Sequence, residues 1–492
     1  MSLQLQNDYR GAYHFSPARG WMNDPNGMVY WDGEYHLFFQ YHPFGKTWGP
    51  MHWGHAVSRD LVHWQELPVA LEPDELGTIF SGSAVVDWKN TTGFFPEEPG
   101  LVAIFTHHSE LPGQSVCQSQ SLAYSHDRGR TWHKYPGNPV LTHESRPDFR
   151  DPKVFWYEPD HCWVMILACG QTVSLYRSPD MLQWTESSEF GEGIGCHDGV
   201  WECPDLFPLP VQNGAEGEQR WVMLVSIGDD GIHPEGSRTQ YFTGQFEGTS
   251  FIPDEASQQV RWLDYGRDNY AGVNWSDIPA EDGRRLYIGW MSNWRYANMT
   301  PTGDWRGAMT ITRELLLEYT KDGQLQLLQR PVAELESYRQ LLLQCNHARL
   351  EEVEVALTAL HLRSYELHIV LPAISSAQWE VLSNGQQRTV IGVDADRGVV
   401  YIDRTMSGDG TFHEHFAGRH EAAWSTTEDV RELRIFVDRG SVEVFADEGR
   451  TVLTDLVFPP ASADRLGLMR ATNEQNPPAW MSVAVYDLSI DR

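Results

Sequence analysis

Basic side chains are scarce in this sequence: 37 Lys and Arg face 68 Asp and Glu, a formal charge of −31 over 492 residues. Such a surplus repels nucleic acid and anionic lipid, so neither is expected as a partner and a neutral ligand fits best. Cysteines number only six, at Cys117, Cys162, Cys169, Cys196, Cys203 and Cys345, with no C-x-x-C pair. That argues against a zinc ribbon and a disulfide framework and for reduced, mostly buried thiols. Long apolar runs are missing too; fragments such as "WVMILACG" fall far short of the ~18 residues of a spanning helix, so no membrane span is expected. The start, "MSLQLQNDYRGAYHFSP", has no basic opening followed by an apolar stretch. A cytoplasmic address is therefore expected, unless a leader has been removed. No G-x-S-x-G elbow, P-loop or G-x-G-x-x-G is present, which disfavours serine-hydrolase and nucleotide chemistry. "HWGHA" offers His52 and His55 without a third ligand at suitable spacing, and "CHDGVWEC", with Cys196, His197 and Cys203, fits a substrate rim better. No metal or other cofactor is expected.

Aromatics are plentiful: 20 Trp, 19 Tyr and 20 Phe make 12% of the chain. Core packing accounts for most single rings, and stacking on sugar C–H faces is a further use. The length exceeds what one hydrophobic core usually supports, so two domains are expected, with one large β-domain as the alternative. From Asn7 to about Arg330 the text consists of short β-type runs broken by Gly, Pro, Asp and Asn, and runs flanking "DG" or "PD" read as hairpins. A weak repeat recurs there: "SRDLVHW" (Ser58–Trp64), "SHDRGRTW" (Ser125–Trp132) and "SPDMLQW" (Ser178–Trp184). A polar turn closed by Trp, used several times, points to a propeller of four-stranded sheets. Val332 to Leu343 reads as a short amphipathic helical linker. From Glu351 alternation returns, with Val353, Val355 and Leu357 on one face and "DRGS" as a strand turn, which suits an antiparallel sandwich. The expected division is 1–330 propeller, 331–344 linker and 345–492 sandwich.

Three acids stand in unusual settings: Asp24 in "WMNDPNG", Asp151 in "DFRDPK" and Glu202 in "VWECPDLF". Two directly precede proline, which biases the acid's backbone towards an extended conformation and removes the next N–H from a ladder. Each adjoins Trp, Phe or Cys, and partial desolvation raises a carboxyl pKa. Separations this long suit a propeller, whose blades bring distant residues to one channel mouth. Glycoside hydrolysis needs such acids: one carboxylate attacks the anomeric carbon and a second, protonated, donates to the leaving oxygen. The aromatic ladder and amides around Asp24 are expected to shape a sugar-sized, partly dry pocket.

With "WMNDPNG", "FRDP", "ECPD" and "FSGS" (Phe80–Ser83) on one chain, the sequence resembles glycoside hydrolase family 32, the β-fructosidases. The resemblance runs through "DRGSVEVFADEG" into the carboxy-terminal part. It implies an all-β fold, a five-bladed β-propeller followed by a β-sandwich. By motif, Asp24 corresponds to the nucleophile, Glu202 to the general acid/base and Asp151 to a transition-state stabiliser, with the Asp24 and Glu202 carboxyls roughly 5–5.5 Å apart as retention requires. Trp21, Met22, Asn23, Gln40, Trp48, Phe80, Ser81, Arg150 and Trp294 are implied as substrate-binding residues, and Arg150 is placed to keep Asp151 ionised. "NWSDIPAEDGRRLYIGWMSNWRYANMTPTGDWRGAMTITREL" is more like levanases and exo-inulinases, implying release of terminal β-D-fructosyl units from fructans, with sucrose also accepted. A sucrose-preferring invertase, a fructosyltransferase and a non-catalytic fructan-binding protein are the alternatives. The choice between β-2,1 and β-2,6 linkages stays open.

Overall fold

The structure, a computed structural model, describes residues 9–110, 116–146, 148–424, 428–469 and 477–490. Strands dominate it, gathered into seven sheets. Five of these follow one another between Gly20 and Pro331, each beginning with a strand that packs on the opening strand of the next sheet. Those five inner strands are Gly20–Trp31, Thr78–Val86, Phe149–Tyr157, Trp201–Pro210 and Tyr270–Asn274. The last packs back on the first, so the five inner strands close a ring. A short parallel pairing of Trp305–Arg306 with Gly20 and Trp21 ties the fifth sheet's connection to the first sheet.

Local chemistry sets these elements. Asp32 and Gly33, with φ of 51° and 84°, turn Gly20–Trp31 into Glu34–His42 as the two left-handed residues of a tight hairpin. The Ser-x-Asp repeats connect the third and fourth strands of the first three sheets. In each, Ser58, Ser125 or Ser178 donates its hydroxyl to the carboxylate two residues on, at 2.9–3.1 Å. The residue directly after that carboxylate folds left-handed in all three, at Leu61, Arg128 and Met181. Trp132 and Trp184 then close their turns with indole N–H bonds to the backbone. The ladder following Asp24 fills cores between sheets and not the pocket. Phe38 packs with Trp53 and Trp132, and Phe39 with Phe15 and Tyr41.

The remaining two sheets, of six and five strands, face each other over one core that includes Leu367, Trp379, Ile391, Ile402, Ile435 and Val444. Two sequence expectations are corrected here. The stretch read as a helical linker forms a single 3-10 turn, Ala333–Ser337, followed by the strand Gln340–Ala348, which pairs with Met481–Asp487. Residues 340–344 therefore belong to the six-stranded sheet. The stretch read as a strand around Val353 is an α-helix, Leu350–Thr358, which buries Val353 and Leu357 and leaves Val355 73% exposed. A spacing of four satisfies both a strand and a helix, and the middle valine decides between them.

Candidate active site

At the starting ends of the inner strands lies an open cavity of about 510 Å³. Every inner strand slips register there: between Met22 and Pro25, Ile79 and Gly82, Arg150 and Lys153, Glu202 and Asp205, and Tyr270 and Val273. Pro152 and Pro204 lie within two of the slips and Pro25 ends a third, each bringing to the strand a residue without an N–H for the ladder. The bulges turn side chains out of the sheets and into the cavity. Asp151 and Cys203, the residues before two of the prolines, have φ of 62° and 45°. They are left-handed and not extended, because the tertiary demand on Asp151 and its neighbours overrides the local pre-proline preference.

Asp24, Asp151 and Glu202 all face this cavity, as do Asn23, Gln40, Trp48, Phe80, Ser81, Arg150 and Trp294. Two expected residues do not. Trp21 is fully buried against Trp290 and Trp294, donating its indole N–H to Asn23 Oδ1 at 2.7 Å, and so supports the wall from behind. Met22 is also fully buried, in the core under the first sheet. Motif membership does not say which side of a bulged strand a side chain takes.

Asp24 receives the hydroxyl of Ser81 at 2.7 Å and the amide of Asn23 at 3.0 Å. Burial and then the charge of Glu202 push its pKa up to about 6, against these hydrogen bonds. Asp151 accepts the backbone N–H of Cys203 at 3.0 Å, and the Cys203 thiol lies between the two acids, 3.5 Å from Asp24 and 3.6 Å from Asp151. Burial raises Asp151 to about 7; Arg150 pulls it down, and Glu202 and Asp24 push it up. Arg150, its Nε 3.9 Å from Asp151, does favour the ionised form as expected, but its Nη2 donates to Glu202 at 3.0 Å and burial of Asp151 outweighs the attraction. Glu202 also accepts the Tyr270 hydroxyl. One guanidinium thus serves Asp148, Asp151 and Glu202, and Asp24 and Asp151 both hold their protons more tightly than free carboxyls do.

Several residues of the cavity were missed from sequence. Tyr270 belongs to the fifth inner strand, in "RDNYAGVNW", where no proline marks a bulge. His108 stacks face to face on Phe80, with centroids 4.2 Å apart, and Gln118, Asp148 and Asp229 complete the wall. Their signal was positional: His108 is on the strand paired with the second inner strand, Asp148 stands just before the third, and Asp229 just past the strand paired with the fourth. His52 and His55 serve the fold, His52 binding the carbonyl of Pro50 and His55 stacking on Phe38 with a 3.0 Å bond to His36. No helix among the described residues is long and apolar enough to cross a membrane.

An all-β scaffold that gathers three carboxyls and an arginine under aromatic walls defines a glycosidase. Residues 14–331 match the glycosyl hydrolases family 32 N-terminal domain and residues 334–487 the family 32 C-terminal domain, and the chain belongs to that family. It is 50% identical over 478 residues to a levanase of Bacillus subtilis, covering 96% of this chain and 69% of that one. It is 38% identical over 500 residues to an extracellular exo-inulinase of Aspergillus ficuum, covering 94% and 92%. The crystal structure of exo-inulinase from Aspergillus awamori superposes with a TM-score of 0.87 at 35% identity, covering 97% of this chain and 98% of that one. A β-fructofuranosidase of Schwanniomyces occidentalis complexed with fructosyl-erythritol superposes with a TM-score of 0.86 at 30% identity, covering 98% of each.

Proposed function

We propose that the protein is a retaining fructan β-fructosidase that releases terminal β-D-fructosyl units from levan and inulin and also cleaves sucrose. The observation that carries this is the convergence of Asp24, Asp151 and Glu202 on one cavity in a chain half identical to a levanase. Asp24 attacks C2 of the terminal fructose while Glu202 protonates the departing glycosidic oxygen. Water, deprotonated by Glu202, then releases fructose from the ester. Asp151 holds fructosyl hydroxyls and offsets the positive charge of the oxocarbenium-like transition state. Arg150 and Tyr270 both donate to Glu202 and hold its carboxyl on the cavity that Asp24 and Asp151 face. The five successive sheets are read as the blades of a five-bladed propeller, supported by the closed ring of inner strands, with the sandwich following from Gln340.

Exo action makes free fructose the sole early product from levan and inulin, and fructose with glucose the products from sucrose, in chromatograms run side by side. Short oligosaccharides appearing first would overturn it. Acid assistance is tested separately by Glu202→Ala. This variant should lose most activity on sucrose but retain the first step on an activated aryl fructoside, whose leaving group needs no proton. Azide should then accelerate turnover by attacking C2 without base help, giving the β-fructosyl azide. Rescue of Asp151→Ala in place of Glu202→Ala would exchange the two roles.

A further inference from the structure

The ring has a second mouth. At the far ends of the inner strands lies another cavity, of about 670 Å³, larger than the one that holds the three acids. Its rim is aromatic. Trp88 is 57% exposed, with its indole N–H tied to Asp277 Oδ1 at 2.8 Å, so the ring is held in place while its face stays open. Trp156 and Trp221 stand on the same cavity, Trp221 braced by Phe155 and Phe246. The floor is polar and incompletely satisfied. Lys153 donates to the carbonyl of Asn274 at 2.5 Å and lies 3.7 Å from Asp205. Asn274 Nδ2, on a lining side chain that is almost wholly buried, has no hydrogen-bond partner among the described residues. Arg285, also on the lining and over the ring of Phe207, feels the charge of buried Asp205 but makes no hydrogen bond to the described residues.

Buried polar groups left without hydrogen bonds destabilise the fold, so a floor of this kind is suited to a ligand that completes it. The polar groups on the lining are of both kinds, donors at Asn274 and Arg285 and, at Ser276, a hydroxyl that donates and accepts. An anion would satisfy Arg285 but would face Glu158, Asp277 and a chain of charge −31. An apolar ligand would suit the rim and leave the floor unpaired. A neutral sugar meets both demands, since each hydroxyl donates and accepts and its C–H faces stack on indole. We propose that this second mouth is a non-catalytic carbohydrate-binding site that takes fructosyl residues of the same polymer whose ends enter the catalytic mouth. The choice of fructosyl residues rests on the function proposed above. Holding a fructan chain here raises the local concentration of chain ends at the other face without contributing to the reaction itself.

The test is a calorimetric titration of the full-length Asp24→Asn variant, which binds without turnover, with the trisaccharide 1-kestose. Two sites per chain are expected. Adding Trp88→Ala should abolish one, with at least about a tenfold loss of affinity, and adding Trp88→Phe should retain it, because the ring and not the indole N–H carries the stacking. In the active protein, Trp88→Ala should raise KM for levan severalfold and leave kcat/KM for sucrose within twofold. Trp156→Ala gives the same readings from the other side of the rim. One site in Asp24→Asn, two surviving in Asp24→Asn/Trp88→Ala, or inorganic phosphate binding there in preference to 1-kestose overturns the proposal. If the unmodified protein hydrolyses neither sucrose nor levan, the reaction assignment fails. The count of binding sites needs no turnover and decides the second site by itself.

Discussion

Asp24→Asn lowers turnover of sucrose and levan by roughly 10⁴ to 10⁶-fold, the range found when a nucleophile that works as part of a unit is removed, and at pH 7 it makes the protein more stable. The rate falls because an amide nitrogen or oxygen cannot form the fructosyl ester, while Glu202 and the binding residues remain in place. The stability gain follows from the electrostatics of the cavity. Burial, and after it the charge of Glu202, raise the Asp24 pKa from 3.8 to about 6. A folded-state pKa above the unfolded one means that the folded chain binds the proton more tightly. Stability from this group is complete below about pH 4 and is lost as pH climbs through about 6. At pH 7 an ionised Asp24 therefore costs the fold on the order of 2–3 kcal/mol, and asparagine, which cannot ionise, avoids that cost. The relief extends to Asp151, whose proton affinity is itself raised by the charge of Asp24. Melting temperatures at pH 4 and pH 7 check this: the variant should exceed the parent at pH 7 and converge with it at pH 4. Ordinary turnover in the variant would remove Asp24 from the nucleophile's role. An equal stabilisation at both pH values would remove the electrostatic explanation.

The same cavity shows what a sequence can and cannot disclose. The three acids were legible because each carries its cause beside it: Pro25, Pro152 and Pro204 break the ladder where the acid must leave the sheet. Hairpin turns were legible for a similar reason, since Asp32-Gly33 must fold left-handed. Tyr270 and His108 were not, because nothing next to them in the chain is unusual. Their importance comes from strand neighbours distant in the chain: the fifth inner strand packs on the fourth, which carries Glu202, and the strand paired with the second inner strand sets His108 on Phe80. Trp21 and Met22 show the opposite error, in which membership of a telling motif suggested a role that a bulge then assigned to the core. The helix at Leu350–Thr358 was misread because Val353 and Leu357 fit either period, and the exposure of Val355 is a property of the packed structure alone. The ion pairs joining the two halves of the chain were invisible for a further reason. They link residues more than 100 positions apart whose neighbours look like ordinary strand text.

That hidden network makes Arg313→Met the most damaging substitution expected away from the cavity. Arg313 is fully buried on the third strand of the fifth sheet, Arg313–Tyr319. It donates to Asp264 at 3.1 Å, Gln329 at 2.7 Å, Glu443 at 2.6 Å and Thr454 at 2.7 Å, the last two on the six-stranded sheet. Glu443 also meets His14 Nε2 at 2.7 Å, and the other nitrogen of that ring meets Asp438 at 2.8 Å. One arginine and one histidine thus bind the amino-terminal segment, the fifth sheet and the six-stranded sheet together. Removing the arginine leaves buried carboxylates facing apolar surroundings, a loss of about 3–5 kcal/mol. Replacing both partners, as Arg313→Met with Glu443→Gln, should recover part of that loss, because the larger share is the stranded charge and not the missing attraction. Denaturant titrations of the two singles and the double measure the coupling, and strictly additive losses would contradict it. His14 gives the network a pH dependence of its own. Burial alone would lower its pKa, but the hydrogen bonds to Asp438 and Glu443 prevail and raise it from 6.5 to about 9. A histidine raised in the folded state contributes stability that is complete below about pH 6.5 and lost as pH rises through about 9, worth on the order of 3 kcal/mol. His14→Gln should therefore flatten the alkaline fall in melting temperature, whereas Asp24→Asn acts in the acid range, so the two titrations separate the junction from the cavity by pH alone.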